Sequence, residues 1–223
     1  MAGVAGRAAL VTGAGSDGGI GFATARLLKE AGARVAITST TDRIFDRLNE
    51  LPGDSSEAFA APADLTETAQ VEKLVSDATA ALGPIDIVVN NAGMVEISRD
   101  EPSGHLHSTT DEGWRYGLDI NLTSSFLVTR AVLTGMMERN YGRIVHMSSV
   151  TGPVVGIPGS AVYGAAKAGM LGMARSLAIE AGPYNVTVNC IGPGWIKTPS
   201  SSDAEIVAGG YTPAGRPGTP DEI

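Results

Sequence analysis

Apolar segments alternate with amphipathic segments along almost the whole chain, and this alternation restricts the fold more than any other feature. The segments that predict strands are apolar along their length, which is typical of a parallel sheet with helices on both faces. They cover residues 8–12, 35–38, 58–61, 85–89, 142–147 and 186–191. Helical spacing predicts helices over residues 22–31, 41–51, 66–82, 110–138 and 160–181, with a break near Gly117. We therefore expect an α/β fold with a doubly wound parallel sheet in three αβα layers.

Length and charge restrict the classes of protein further. The chain has 223 residues, 43% of them hydrophobic, so we expect a single domain over residues 1–223. The net charge is −8 and the Lys and Arg residues are dispersed, so neither nucleic-acid nor membrane binding is expected. Cys190 is the only cysteine and the three histidines are not spaced as metal ligands, so we expect no intrachain disulfide and no metal site. The sequence has no signal-like N-terminus and no long apolar run, which favours a soluble cytoplasmic protein.

A glycine-rich turn, TGAGSDGGIG at residues 12–21, joins the first predicted strand to the first predicted helix. Glycines let a phosphate approach the backbone closely, and a helix N-terminus offers free N–H groups and a positive dipole end. Elsewhere such a turn could be an ordinary surface loop. Between the first strand and helix of an alternating chain, it indicates a dinucleotide site in a Rossmann-type sheet.

Tyr163 and Lys167 are four residues apart in the predicted helix 160–181, which places both side chains on one face. An ammonium beside a phenol lowers the pKa of the phenol, so that the tyrosine can exchange a proton with a substrate oxygen. Ser149 follows the predicted strand 142–147 and is well placed to hold a carbonyl near that tyrosine. Taken alone, the pair is more typical of a half-buried tyrosine beside a solvated lysine, but here it accompanies a dinucleotide turn.

The motifs of the chain resemble, in their order, those of the short-chain dehydrogenase/reductase family. The chain is similar to the shorter single-domain members of this family, which include the 3-oxoacyl-acyl-carrier-protein reductases, and the resemblance covers nearly the whole chain. The residues that carry it are Thr12, Gly13, Gly19, Ile20, Gly21, Asp64, Leu65, the Asn-Asn-Ala-Gly segment 90–93, Asn121, Leu122, Ser149, Tyr163, Lys167, Pro193, Gly194 and Thr198.

The resemblance implies four catalytic residues. Tyr163 would be the general acid in reduction and the base in oxidation, and Ser149 would orient the substrate carbonyl. Lys167 would bind the nicotinamide ribose and lower the pKa of Tyr163. Asn121 would bind a main-chain carbonyl and a water that links Lys167 to solvent.

The resemblance also implies the residues that bind the cofactor. The glycine-rich loop would hold the pyrophosphate, Asp64 and Leu65 would contact the adenine, and the segment 90–93 would line the adenosine ribose. Ile196 and Thr198 would hold the nicotinamide carboxamide. For Asp64, an ordinary acid at a helix N-terminus is the alternative. The full set is Gly13, Gly19, Ile20, Gly21, Ser39, Thr40, Asp64, Leu65, Asn91, Ala92, Gly93, Tyr163, Lys167, Pro193, Gly194, Ile196 and Thr198.

The end of the second predicted strand bears on the choice between NADP and NAD. An acid at this position accepts a hydrogen bond from the ribose 2′-hydroxyl and repels a 2′-phosphate. Here the position is occupied by Ser39, followed by Thr40, with Arg43 nearby. These residues favour NADP. Asp17 and Asp42 leave NAD as the alternative, and Arg43 could instead be a solvated helix residue.

The chain departs from the family pattern in three places. The glycine-rich loop is two residues longer and contains Asp17, an acid that is unfavourable beside a pyrophosphate unless it points outward. Ser149 and Tyr163 are fourteen residues apart rather than thirteen. The family continues beyond the Gly-Arg-Pro-Gly stretch 215–218 into a further helix and strand. We expect both to be absent here, either by truncation of the chain or by nature, which would leave an exposed edge strand.

We expect an oxidoreductase that transfers a hydride between NADP(H) and a small ketone, a β-keto ester or a 3-oxoacyl thioester, or the corresponding secondary alcohol. Residues 96–108, 154–160 and 199–211 would form the substrate walls. An NAD-linked alcohol dehydrogenase is one alternative. A dinucleotide-binding protein with little turnover is another, although a pure binder has no need of Tyr163. The helices from Trp114 and Ser160 would form the contact of a homodimer or homotetramer.

Overall fold

The computed structural model describes residues 3–93 and 104–223, which contain one six-stranded parallel sheet. The strands are β1 (Ala8–Thr12), β2 (Arg34–Ser39), β3 (Ala58–Pro62), β4 (Ile87–Asn90), β5 (Gly142–Met147) and β6 (Val186–Ile191). Their order in the sheet is β3-β2-β1-β4-β5-β6. The order reverses between β1 and β4, so the loops after these two strands diverge and open a crevice at the carboxyl edge.

Helices cover both faces of the sheet. They are α1 (Ile20–Glu30), α2 (Ile44–Glu50), α3 (Thr68–Leu82), α4 (Asp111–Leu118), α5 (Ser124–Glu138), α6 (Ala161–Ala181) and α7 (Asp203–Gly209). Ala9 and Val11 of β1 belong to the core that α1 and α2 cover, whereas Ala8 and Leu10 belong to the core that α3, α5 and α6 cover. Because successive strand residues point to opposite faces, an apolar strand is buried on both. The predicted three-layer, doubly wound fold is confirmed.

The predicted helix 110–138 is divided into two helices by a π-helical turn. α4 ends at Leu118, residues Asp119–Thr123 form the π-helical turn, and α5 follows at once. Within this turn the Asn121 side chain is fully buried, and its Nδ2 donates to the Gly117 carbonyl over 3.1 Å. The break therefore begins just after Gly117, and it is a widened helical turn of the kind often found at functional sites.

The segment that follows β6 returns to the first helix. Ile196 forms an isolated bridge with Gly218, and Asp221 lies 2.5 Å from the Arg26 guanidinium of α1. Residues 193–202 are thereby held beside the crevice between β1 and β4. Among the helices in the described part of the chain, none is long and apolar enough to cross a membrane.

Candidate active site

A cavity of about 980 Å³ opens at the carboxyl edge of the sheet. Its volume is at the upper end of the range typical of small-molecule sites. The predicted site residues that line it come from α1, the end of β4, the end of β5, α6 and the segment after β6. They are Ile20, Asn91, Gly93, Ser149, Tyr163, Lys167, Pro193, Gly194, Ile196 and Thr198. Residues far apart in sequence are therefore brought together, as expected for loops at one edge of a parallel sheet.

Tyr163 and Lys167 lie one turn apart on α6. The Lys167 Nζ is 5.5 Å from the centroid of the Tyr163 ring, and the lysine side chain is buried. The Nζ donates to the Met147 carbonyl at the end of β5 over 2.9 Å. In addition, the Ser148 hydroxyl donates to the Lys167 carbonyl over 3.0 Å. These two bonds fix α6 against β5 and hold the ammonium beside the phenol.

Ser149 lies just after β5, at the wall of the cavity. Its Oγ accepts a hydrogen bond from the Thr151 N–H over 3.1 Å. The Ser149 oxygen thus accepts from a backbone N–H, while the hydroxyl hydrogen stays available to donate to a carbonyl in the cavity. Ser149 and Tyr163 both line this cavity, although fourteen residues separate them.

Gly93 lies between two of the predicted catalytic side chains. A Cβ at this position would be 2.7 Å from Asn121 Oδ1 and 3.5 Å from Lys167 Nζ, and the backbone has a φ of +151°. Only glycine fits this conformation without displacing Asn121. Asn121 does not line the cavity, because it is buried behind Gly93.

The glycine-rich loop is bound closely to the segment that ends β4. Thr12 Oγ1 accepts from the backbone N–H groups of Asn91 and Ala92, each over 3.0 Å. Asn91 Nδ2 in turn donates to the carbonyls of Thr12 and Gly13, each over 3.1 Å. Gly13 has a φ of +69°, and a Cβ there would be 2.7 Å from the Cα of Ala92. The N-cap of α1 is Gly19, and because glycine has no side chain, no side-chain hydrogen bond caps this helix.

These features fit a dinucleotide. The first backbone N–H groups of α1 lack a side-chain acceptor and carry the positive end of the helix dipole, which suits a pyrophosphate. The residues available to hold it are Gly13, Gly19, Ile20 and Gly21. The acid in the loop is exposed to solvent: the Asp17 side chain is 72% exposed and lies 3.7 Å from the Arg47 guanidinium.

The end of β2 carries hydroxyl groups and a guanidinium. Ser39 is buried and donates to the Thr41 carbonyl over 3.0 Å, whereas Thr40 is exposed. Arg43 lies against the loop, because a Cβ at Gly15 would be 2.7 Å from its Nε. Arg43 forms no ion pair with any residue in ranges 3–93 and 104–223, and the buried Thr41 Oγ1 has no hydrogen-bond partner there. A cation and an unpaired hydroxyl at this position fit a phosphate.

Asp64 and Leu65 follow β3, outside the lining of the cavity. The Asp64 carboxylate accepts from the N–H and the hydroxyl of Thr66, over 2.9 and 2.7 Å. The Leu65 side chain is buried in the core that α3 covers. Asp64 is half-buried at the carboxyl edge, so its second oxygen could still accept from an adenine amino group.

The predicted substrate walls are described only in part. Residues 154–160 and 199–211 contribute Val155, Ile157, Ser200 and Ile206 to the lining of the cavity. Of the third predicted wall, residues 96–103 lie outside the described residues. The Thr198 hydroxyl is within 3.0 Å of Ser200 Oγ, and its N–H donates to Ser201 Oγ over 3.0 Å.

Comparison with known proteins decides the family. The model of the short chain dehydrogenase family matches residues 7–206. The chain belongs to this family. It is 40% identical to the 3-oxoacyl-acyl-carrier-protein reductase FabG of Vibrio cholerae over 222 residues, which cover 98% of this chain and 86% of that protein. Members of the short-chain dehydrogenase family are oxidoreductases that use NAD(P), so the prediction of an NAD(P)-dependent enzyme acting on CH–OH or carbonyl groups is confirmed.

Two solved reductases have a similar structure. A variant of actinorhodin polyketide ketoreductase, solved with NADPH, has a TM-score of 0.86 and 34% sequence identity. The alignment covers 97% of this chain and 86% of that one. Levodione reductase has a TM-score of 0.89 and 31% identity, over 99% of this chain and 88% of that one.

One buried polar cluster beside the predicted catalytic residues of this dehydrogenase was not found from the sequence. His146 of β5 is fully buried, and its Nδ1 is 3.3 Å from Asn90 Nδ2, which also donates to Thr129 Oγ1 over 2.9 Å. Burial, together with the nearby Lys167 ammonium, lowers the pKa of His146 to about 4. The only signal in the sequence was a histidine in the strand sequence GRIVHM, between Val145 and Met147.

Proposed function

We propose that this dehydrogenase transfers a hydride between NADP(H) and a ketone or the corresponding secondary alcohol. The observation that supports it best is the arrangement of Ser149, Tyr163 and Lys167 around one cavity, with Lys167 buried beside the tyrosine ring. When bound, NADPH supplies the hydride to the carbonyl carbon. The remaining work of the protein is to position the carbonyl and to move one proton.

In the proposed reduction the Ser149 hydroxyl donates a hydrogen bond to the carbonyl oxygen of the substrate. The Tyr163 phenol then gives its proton to that oxygen as negative charge develops there. The Lys167 ammonium stabilises the resulting phenolate, since an opposite charge nearby favours the ionised form. In the oxidative direction the same groups act in reverse, with Tyr163 as the base.

Asn121 has a supporting role in this proposal. Its side chain is fixed in the π-helical turn by the bond to Gly117, and Gly93 separates it from Lys167 with no intervening side chain. A proton that returns to Tyr163 would then pass from solvent by way of Asn121 and Lys167.

The preference for NADP rests on the residues at the end of β2. No acid stands at the Ser39 position, and the Arg43 guanidinium lies over Gly15 without a counter-charge among the described residues. A 2′-phosphate would supply that counter-charge. The polyketide ketoreductase of similar structure was solved with NADPH, which supports the same choice.

Replacement of Tyr163 by phenylalanine tests the proposed reaction. Tyr163→Phe should lower kcat at least about a hundredfold, because it removes the proton donor, and should leave the Kd of NADPH within about twofold. Turnover is measured as NADPH oxidation with a panel of ketones and β-keto esters, and binding by fluorescence titration. Tyr184→Phe is the control, because Tyr184 is exposed and outside the cavity. Undiminished turnover in Tyr163→Phe would refute the proton-donor role.

A further inference from the structure

Asp17 lies in the glycine-rich loop, which is two residues longer than the family pattern, and joins this loop to α2. Its Oδ1 accepts the N–H of Gly18 over 2.8 Å, while its Oδ2 lies 3.7 Å from Arg47 Nη1. The Asp17 side chain is 72% exposed, so water screens the ion pair. A partner with more charge could therefore displace the Asp17 carboxylate from Arg47 at little cost.

Arg47 has unused capacity to donate hydrogen bonds. Its side chain is only 15% exposed, and its buried Nε has no hydrogen-bond partner within the described residues. Its Nη2 donates to Glu50 Oε1 over 2.5 Å, and the guanidinium lies 5.7 Å from the centroid of the Phe22 ring. The planar guanidinium is suited to an anion with several oxygens, and a phosphate offers more acceptors than one carboxylate.

Arg43 and Arg47 are four residues apart in and just before α2, and both lie beside the glycine-rich loop. Arg43 lies against Gly15, and Arg47 faces Asp17 two residues further on. In this fold the ribose of the adenosine half lies at the end of β2, where the 2′-hydroxyl and the 2′-phosphate are distinguished. Arg43 lies at this position, and Asp17 is an acid that pairs with Arg47, one helical turn further along.

We propose that Asp17 is a specificity-determining residue, whose carboxylate competes with the 2′-phosphate of NADPH for Arg47. The inference rests on the proposed function, because it requires the dinucleotide to lie along this loop. On binding of NADPH, Arg47 exchanges the Asp17 carboxylate for the 2′-phosphate. With NADH no such exchange takes place, and the ion pair is kept. Asp17 thereby lowers the affinity for NADPH and leaves that for NADH unchanged.

Asp17→Asn tests this proposal, because asparagine keeps the acceptor for the Gly18 N–H and removes only the charge. Kd values for NADPH and NADH are measured by fluorescence titration. The Kd of adenosine 2′,5′-bisphosphate is measured by calorimetry, which reports on the phosphate site independently of turnover. NADPH and the bisphosphate should bind Asp17→Asn about three- to tenfold more tightly than they bind wild type. The Kd of NADH should stay within about twofold of the wild-type value. The gain should shrink at high salt, since the charges are exposed.

Asp46→Asn is the matched control. Asp46 precedes Arg47 in α2, is exposed, and forms no ion pair with the described residues, so its replacement changes the net charge equally. Arg47→Gln should weaken NADPH binding, and more strongly in the Asp17→Asn background than in wild type. That coupling would support the competition, because a merely structural role of the ion pair predicts the opposite.

Three results would overturn the proposal. An equal gain for NADPH and NADH in Asp17→Asn would place the charge effect at the pyrophosphate. A gain in NADPH affinity no larger than that of Asp46→Asn would mean that the effect comes from the change in net charge alone. If wild type binds NADPH tightly and Arg47→Gln binds it equally tightly, Arg47 does not contact the 2′-phosphate. Failure of wild type to bind either dinucleotide would refute the proposed function and this inference with it, whereas the three results above refute the inference alone.

Discussion

The buried His146 makes the stability of this protein dependent on pH in a defined range. In the folded protein its pKa is about 4, whereas the ordinary value, which applies to the unfolded chain, is 6.5. Above pH 6.5 the imidazole is neutral in both states, and folding is not penalised. Below pH 6.5 the unfolded chain binds a proton that the folded protein does not bind. The free energy of unfolding must therefore fall as the pH falls from 6.5 towards 4.

The size of the loss follows from the two pKa values. At pH 5.5 the protonation of the unfolded chain costs the folded protein about 1.4 kcal/mol, and as the pH approaches 4 the cost reaches about 3 kcal/mol. These values are a considerable fraction of the stability of a typical domain, about 5–15 kcal/mol. The cause is burial in the first place, and the Lys167 ammonium adds to it, because a second cation beside a buried one is unfavourable.

Urea unfolding between pH 8 and pH 5 measures this effect in wild type and in His146→Asn, which cannot titrate. The variant is expected to be less stable than wild type at pH 8, since it loses packing, so the comparison rests on the slope of stability against pH. Wild type should lose about 1.4 kcal/mol more than the variant by pH 5.5. His107→Asn, at an exposed position, is the control and should keep the wild-type slope. Parallel curves for wild type and His146→Asn, at a constant m-value, would refute the reasoning.

Two further substitutions test the proposed cofactor site and the proposed catalytic site. Ser39→Asp should lower the ratio of kcat/KM for NADPH over NADH at least about tenfold, because an acid at the end of β2 repels a 2′-phosphate. An unchanged ratio would contradict the position assigned to the ribose. Gly93→Ala should lower kcat at least about tenfold, because its Cβ would be 2.7 Å from Asn121 Oδ1. Gly156→Ala, where a Cβ meets no atom within 4 Å, should remain active.

The layers of the fold could be predicted from the sequence because a strand that is buried on both faces is apolar along its whole length. β1 reads AALVT and all five of its residues are buried, so neither face tolerates a charged side chain. The division of helix 110–138 was predicted less well. Gly117 suggested a break, but the π-helical turn begins at Asp119, and the buried Asn121 that it positions donates to the Gly117 carbonyl. A widened turn depends on that contact, and spacing alone does not show it.

The candidate site was predicted unevenly for a related reason. Tyr163 and Lys167 are close in sequence, so helical periodicity alone places them together. The pairs Asp17–Arg47 and Asn90–His146 are separated by 30 and 56 residues, respectively, and the sequence gives only their residue types. The Asp17–Arg47 pair depends on where α2 packs against the glycine-rich loop, and this packing is set only when the layers of the fold assemble.

The contacts of Lys167 link the stability of the fold to the proposed chemistry. A buried ammonium needs an acceptor, and the Met147 carbonyl at the end of β5 supplies one. The same strand carries His146, which the Lys167 charge helps to keep neutral. Protonation of His146 would place a second cation beside the lysine and destabilise the ammonium that, in the proposed reaction, stabilises the Tyr163 phenolate. A neutral His146 is therefore consistent with a Lys167 that stays charged, and the end of β5 positions both side chains.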